Sequence, residues 1–152
     1  STSLTSITQS GELISVNLEG EVLHREQLYK PSKECRFWLI QDTLEKTYII
    51  VRQEYNTLSF INPKGEVLFE KNIIGSNELS VQYYFFSSDR QLIIVTDQEQ
   101  EFTYIFNQAG HLINLEPIES GWPISVLYYT TDETYHIYKC YGKNFSVLTA
   151  AD

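Results

Sequence analysis

One short motif recurs along this chain at a fixed interval. Asn17-Leu18-Glu19-Gly20-Glu21-Val22, Asn62-Pro63-Lys64-Gly65-Glu66-Val67 and Asn107-Gln108-Ala109-Gly110-His111-Leu112 follow one another at 45 residues each time. Such a period constrains a fold more than any local signal, because each repeat must be one supersecondary unit that buries itself on its neighbours. Three other columns keep the same phase: Trp38, Tyr83 and Tyr128; Leu28, Ile73 and Ile118; Val16, Ile61 and Phe106. Within the motif, Gly supplies a positive φ and Asn folds its amide onto the backbone, so the motif predicts a tight turn.

The units between the turns are β in pattern. No window shows the 3.6-residue period of an amphipathic helix; strict alternation and β-branched runs dominate. Strands are predicted at 12–17, 22–28, 35–41, 47–53, 57–62, 67–73, 81–87, 92–97, 102–107, 111–118, 124–130, 135–141 and 144–150. The aromatic fraction, 14% with 11 Tyr and 8 Phe, points the same way. Residues 1–10 read as a polar Ser/Thr-rich lead-in without the features of a signal peptide. Residues 29–34, around Pro31, and 75–77 read as loops. The last strand resembles 12–17 but lies three residues short of register.

A period of roughly 40–50 residues made of four short strands is the signature of propeller blades. The succession strand, turn, strand, short turn, strand, Asn-x-x-Gly, strand resembles the NHL-like blades of bacterial β-propeller blade-repeat proteins, over nearly all of residues 12–150. The Trp-Asp pair of WD40 blades and the tandem Gly of kelch blades are absent. Ser87-Ser88-Asp89 lacks the Gly and Trp of a sialidase Asp-box. The expected fold is all-β: one domain, 1–152, of antiparallel four-stranded blades. Lettering strands a to d from channel to rim, 12–28 is a partial blade (c and d), 35–73 and 80–118 are complete, and 122–150 is partial (a, b and c). The Asn-x-x-Gly turn then joins c to d. Pro117 and the charges of Arg25, Glu26, Glu70, Lys71 and Glu116 suit an outer edge. About three blades falls short of the 4–8 of closed propellers. The chain is therefore expected to be a fragment of a longer propeller, or half of a ring completed by a second copy as a homodimer. A non-propeller stack of antiparallel sheets is the fallback.

Charge narrows the partners. With 20 acidic and 11 basic residues the net charge is −9, a field that repels phosphate backbones, so no nucleic-acid partner is expected. No apolar run approaches the ~20 residues of a membrane span, so no membrane insertion is expected. The absence of Met implies a processed chain or a piece of a longer one. Cys35 and Cys140 lie far apart in sequence; free thiols and a single disulfide both stay open. The compartment stays open too, with the extracellular or periplasmic side favoured.

No catalytic or metal motif stands out. His24, His111 and His136 are out of phase, so no metal and no cofactor is expected. Turn acids, Asp42, Asp89, Asp97 and Asp132, could line a propeller rim, where paired carboxylates do acid–base work, although solvated turns use the same residues. The recurrent aromatics Trp38, Tyr83 and Tyr128 fit packing between blades or a ring of hydroxyls at a channel. Trp122, between Gly121 and Pro123, is a candidate exposed contact. The candidate ligand-binding residues are thus Trp38, Tyr83, Tyr128, Trp122, Asp89 and Asp132. The expected function is a non-catalytic binding or scaffold module that contacts a protein or carbohydrate through its blade loops. The alternative is a propeller-type glycoside hydrolase or lyase using rim carboxylates.

Overall fold

The computed structural model describes residues 2–28, 35–73 and 78–151. The loops read at 29–34 and 75–77 lie outside the described residues. The described chain is all-β, with fourteen strands in four antiparallel sheets. The first sheet holds β1 (Ser3–Ile7), β2 (Glu12–Asn17) and β3 (Val22–Gln27). The second holds β4 (Cys35–Gln41), β5 (Tyr48–Glu54), β6 (Thr57–Ile61) and β7 (Val67–Asn72). The third holds β8 (Leu79–Ser87), β9 (Arg90–Asp97), β10 (Phe102–Asn107) and β11 (Ile118–Glu119). The fourth holds β12 (Ser125–Tyr129), β13 (Thr134–Tyr141) and β14 (Asn144–Ala151). In every sheet, spatial order follows chain order.

The repeated motif is one piece of backbone chemistry used three times. In each copy the Asn side-chain Oδ1 accepts from two backbone N–H groups: Glu19 and Glu21 on Asn17, Lys64 and Glu66 on Asn62, Ala109 and His111 on Asn107. The Asn N–H donates to the carbonyl four residues on, at 2.9–3.0 Å. Gly20, Gly65 and Gly110 sit at φ 86°, 85° and 84°, where a Cβ would strain the chain. In the first two copies the strand register shifts one pair before the Asn, between Ser15 and Val16 and between Phe60 and Ile61. A positive-φ Gly beside such a shift is the geometry of a glycine bulge closing a hairpin.

The chain forms two compact units, Ser1–Ile40 with Tyr48–Ile73, and Gln41–Thr47 with Ile74–Asp152. The core of the first joins Leu13 and Ile7 of the first sheet to Cys35, Phe37, Ile50 and Ile61 of the second. The core of the second joins Tyr84, Leu92, Ile94 and Ile105 of the third sheet to Val126, Tyr135, Ile137 and Ala150 of the fourth and to Ile124 just before it. β5 and β9 carry unbroken buried runs, Ile49-Ile50-Val51 and Leu92-Ile93-Ile94-Val95, the pattern of a strand with both faces out of water.

Several stretches differ from the sequence expectation, β8 and β9 each starting two residues early among them. The lead-in contains β1, which pairs with β2 from Ser3 opposite Asn17 to Ile7 opposite Leu13. Its Ser and Thr look polar in sequence, but Thr5 and Ser15 share a hydroxyl hydrogen bond across the strands, and Thr suits a pleated surface. The expected strand at 111–118 is replaced by a 3₁₀ turn, Ile113–Leu115, and the two-residue β11. Leu115 takes φ 62°, and Pro117 just before β11 has no N–H to give a ladder. Finally, β14 runs to Ala151, so the last strand reaches further than expected.

Candidate functional site

The alternation of β5 and β6 builds a polar site at the end of an apolar face. Ile50, Arg52 and Glu54 share one face of β5, as Ile61, Ser59 and Thr57 share that of β6, because side chains alternate with a period of two. Register sets Arg52 beside Ser59 and Ser59 beside Glu70 of β7. One step further along, Glu54, Thr57 and Asn72 line up likewise. The face therefore changes from core, at Ile50 and Ile61, to a polar ladder.

Ser59 is the centre of that ladder. It is 1% exposed, its hydroxyl donates to Glu70 Oε2 at 2.8 Å, and it accepts from Arg52 Nη2 at 3.2 Å. One buried hydroxyl thus links a cation to a carboxylate across three strands, with its donor and an acceptor site both filled. Beside it, Thr57 Oγ1 donates to Asn72 Oδ1 at 2.9 Å. Tyr55 projects at the first corner of the two-residue β5–β6 turn, 68% exposed, with φ 56°. Hairpins usually give that corner to Gly, and an aromatic residue in the left-handed region is uncommon. Arg52, Glu54, Tyr55, Thr57, Ser59 and Glu70 line an open cleft of about 320 Å³. A cation, two carboxylates and a phenol ring line it, over the buried Ser59 hydroxyl that ties Arg52 to Glu70.

The residues singled out from sequence do not gather into one site. In the second unit, Tyr83 on β8 is buried, and its hydroxyl donates to Gln91 Oε1 at 2.7 Å. Burial first, and the charge of Asp42 second, push its hydroxyl up to about 12. Asp42 forms a bridge with Tyr83, and the Thr43 N–H donates to the Tyr83 carbonyl. Tyr128 on β12 lies in a separate aromatic cluster, 5.0 Å from the Tyr135 ring and 6.1 Å from Phe86, with the Arg90 guanidinium 4.1 Å over its face. Those distances are of packed rings and a cation–π pair, and Tyr128 serves the core there. In the first unit Trp38 is half-buried on β4, with Arg36 stacked 5.0 Å away.

Asp89 and Asp132 are exposed turn acids, each bonded to a hydroxyl of its own turn, Ser88 and Thr134. Asp42 and Asp97, read as rim acids, are 2% and 1% exposed. Their carboxylates accept from backbone N–H groups, Asp42 from Leu44, Lys46 and Thr47, and Asp97 from Glu99 and Gln100. They hold turns together. Trp122 is 62% exposed, as a surface contact requires, but lies in the β11–β12 connection beside Ser120. Cys35 is buried and Cys140 is exposed, and no disulfide joins the two.

Sequence reasoning passed over Arg52, Tyr55, Ser59 and Glu70. The available signal was the alternation itself: Arg52 and Glu54 occupy positions that continue the apolar face of Ile50, and Ser59 and Thr57 those that continue Ile61.

No protein-family model and no curated protein matches this chain. Among solved structures it is similar to a protein of unknown function from Bacteroides caccae, whose crystal structure was determined at 1.35 Å resolution. The two are 12% identical with a TM-score of 0.45, over 100% of this chain and 58% of that one. The chain thus spans a little over half the length of that protein.

Proposed function

We propose that the chain is a non-catalytic binding module of β-propeller type, its sheets serving as blades, and that it takes a neutral carbohydrate in the cleft of the second sheet. The blade reading draws on the three matching hairpins and the chain-order sheets of three or four strands. The cleft of Arg52, Glu54, Tyr55, Thr57, Ser59 and Glu70 carries the ligand reading. Sugars are bound by planar polar groups that satisfy hydroxyls in both directions and by an aromatic face against the C–H side of the ring. The cleft supplies both. Two carboxylates there and a net charge of −9 disfavour an anionic sugar. Tyr55 adds weight as an exposed aromatic ring at the edge of the cleft.

The test is calorimetric titration with a panel of neutral oligosaccharides on the chain and on Tyr55→Gly. Glycine relieves the positive φ, so this variant is expected to gain about 1 kcal/mol of stability while losing affinity at least ~tenfold. Unchanged affinity in the stabilised variant would remove Tyr55 from the site. The enzymatic alternative draws on Glu54 and Glu70 sharing the cleft. Turnover of a bound glycoside that disappears in Glu70→Gln would favour it.

A further inference from the structure

Each of the two units stacks its sheets in the same sense. The second sheet meets the first through the face of Ile50 and Ile61, and the fourth meets the third through the face of Tyr135 and Ala150. Ile50–Ile61 and Tyr135–Ala150 are cross-strand pairs on β5–β6 and β13–β14. In the first sheet the corresponding pair is Leu4–Val16, on β1–β2, and it is covered by nothing comparable: Leu4 is 62% exposed, and Val22, paired to Val16, is 56% exposed. At the other extreme, the fourth sheet uses one face for Tyr135 and Ala150 and leaves the opposite face open. On that face Leu127 is 51% exposed, Tyr129 39%, Phe145 67% and Val147 46%. The residues are contiguous: Leu127 pairs with His136, Tyr138 with Val147, and Cys140 with Phe145. The Tyr129 ring lies 4.1 Å from His136, and Tyr138 stacks with Phe145 at 6.4 Å.

The open face of the fourth sheet is of the kind that Leu13, Ile94 and Ile105 present within the units, and the open face of the first sheet is its complement. We propose that two copies of this chain associate head to tail, the Leu127–Tyr129–Phe145–Val147 face of one packing on the Leu4–Val16–Val22 face of the next. The occupant follows from the repeat: the surface that covers a face of the first kind, inside either unit, is a face of the second kind, and the described residues leave a face of each kind exposed, on the fourth and first sheets. Leu127, Tyr129, Phe145 and Val147 form a contiguous exposed apolar patch on the fourth sheet, and such patches mark contact sites. It supplies the apolar centre of an interface of about 800 Å² per partner, with polar residues at the rim. Because the two surfaces differ, the contact is heterologous and either closes on itself or propagates. This inference does not depend on what fills the cleft of the second sheet.

Light scattering coupled to size exclusion, over a range of concentrations, tests it. The chain is expected to show a mass of two copies or more that rises with concentration. Leu127→Ser with Phe145→Ser is expected to abolish association, and so is Leu4→Arg with Val22→Ser on the other face. All four substitutions are at exposed positions, and circular dichroism with thermal melting confirms that the variants fold. Mixing the two folded variants restores one intact contact and is expected to give a dimer, although each alone is monomeric. A monomer at all concentrations, association that survives either pair of substitutions, or a mixture that stays monomeric would overturn the proposal.

Discussion

Tyr83 shows how a single hydroxyl couples packing to pH. Its O–H donates to Gln91, and burial, with the nearby charge of Asp42, holds the group up to about 12. An unfolded tyrosine releases its proton near pH 10. The folded chain therefore keeps a proton that the unfolded chain gives up, so the stabilisation is complete below pH 10 and is lost as pH rises through the folded value. The melting temperature is expected to fall between about pH 10 and 12. The fall should be shallower in Tyr83→Phe, which has no proton to lose. It should not vanish, because burial also raises Tyr84 and Tyr48. Identical pH profiles for the two proteins would contradict this account of Tyr83. The turn acids make a related point. Asp42 and Asp97 resemble Asp89 and Asp132 in sequence, yet their carboxylates accept backbone N–H groups of their own turns and are withdrawn from water.

Among the elements, the Asn-x-x-Gly hairpin is the most sharply specified. Its chemistry lies within five residues, so it is legible without knowledge of the fold. Asn62→Ala removes the acceptor of two backbone N–H groups and is expected to cost about 1 kcal/mol. Gly65→Ala is expected to cost about 1–2 kcal/mol through the left-handed backbone. A Cβ at Gly65 would meet Leu28 Cδ2 only at 3.6 Å, an ordinary contact, so sterics add little. Urea unfolding checks both, and the loss on Asn17→Ala and Asn107→Ala should match that on Asn62→Ala. A neutral Asn62→Ala would mean that the repeat is not kept for its turn. Other elements were less legible. β1 hides in Ser/Thr because its stability comes from its partner β2. The stretch 111–118 alternates like a strand, but Leu115 and Pro117 break the ladder locally. The cleft was illegible for a different reason. Arg52, Ser59 and Glu70 are 7 and 11 residues apart, and only the pairing register brings them side by side.

At the scale of the molecule, the described chain is a series of four antiparallel sheets in two compact units with apolar interiors. Among the described residues, a concave polar feature lies at the end of the Ile50–Ile61 face, where a hydrophobic surface gives way to Arg52, Ser59 and Glu70. That transition is where a ligand can be both ordered by a rigid sheet and reached from solvent. The claim that this cleft is the binding site is tested most directly by NMR. Amide resonances are followed in two-dimensional spectra while the oligosaccharide that binds by calorimetry is added. The account predicts saturable shifts confined to residues 52–59 and the neighbourhood of Glu70, and absent in Ser59→Ala. Shifts that centre on the β8–β9 and β12–β13 turns, around Asp89 and Asp132, and leave Arg52, Tyr55 and Ser59 unmoved would contradict it.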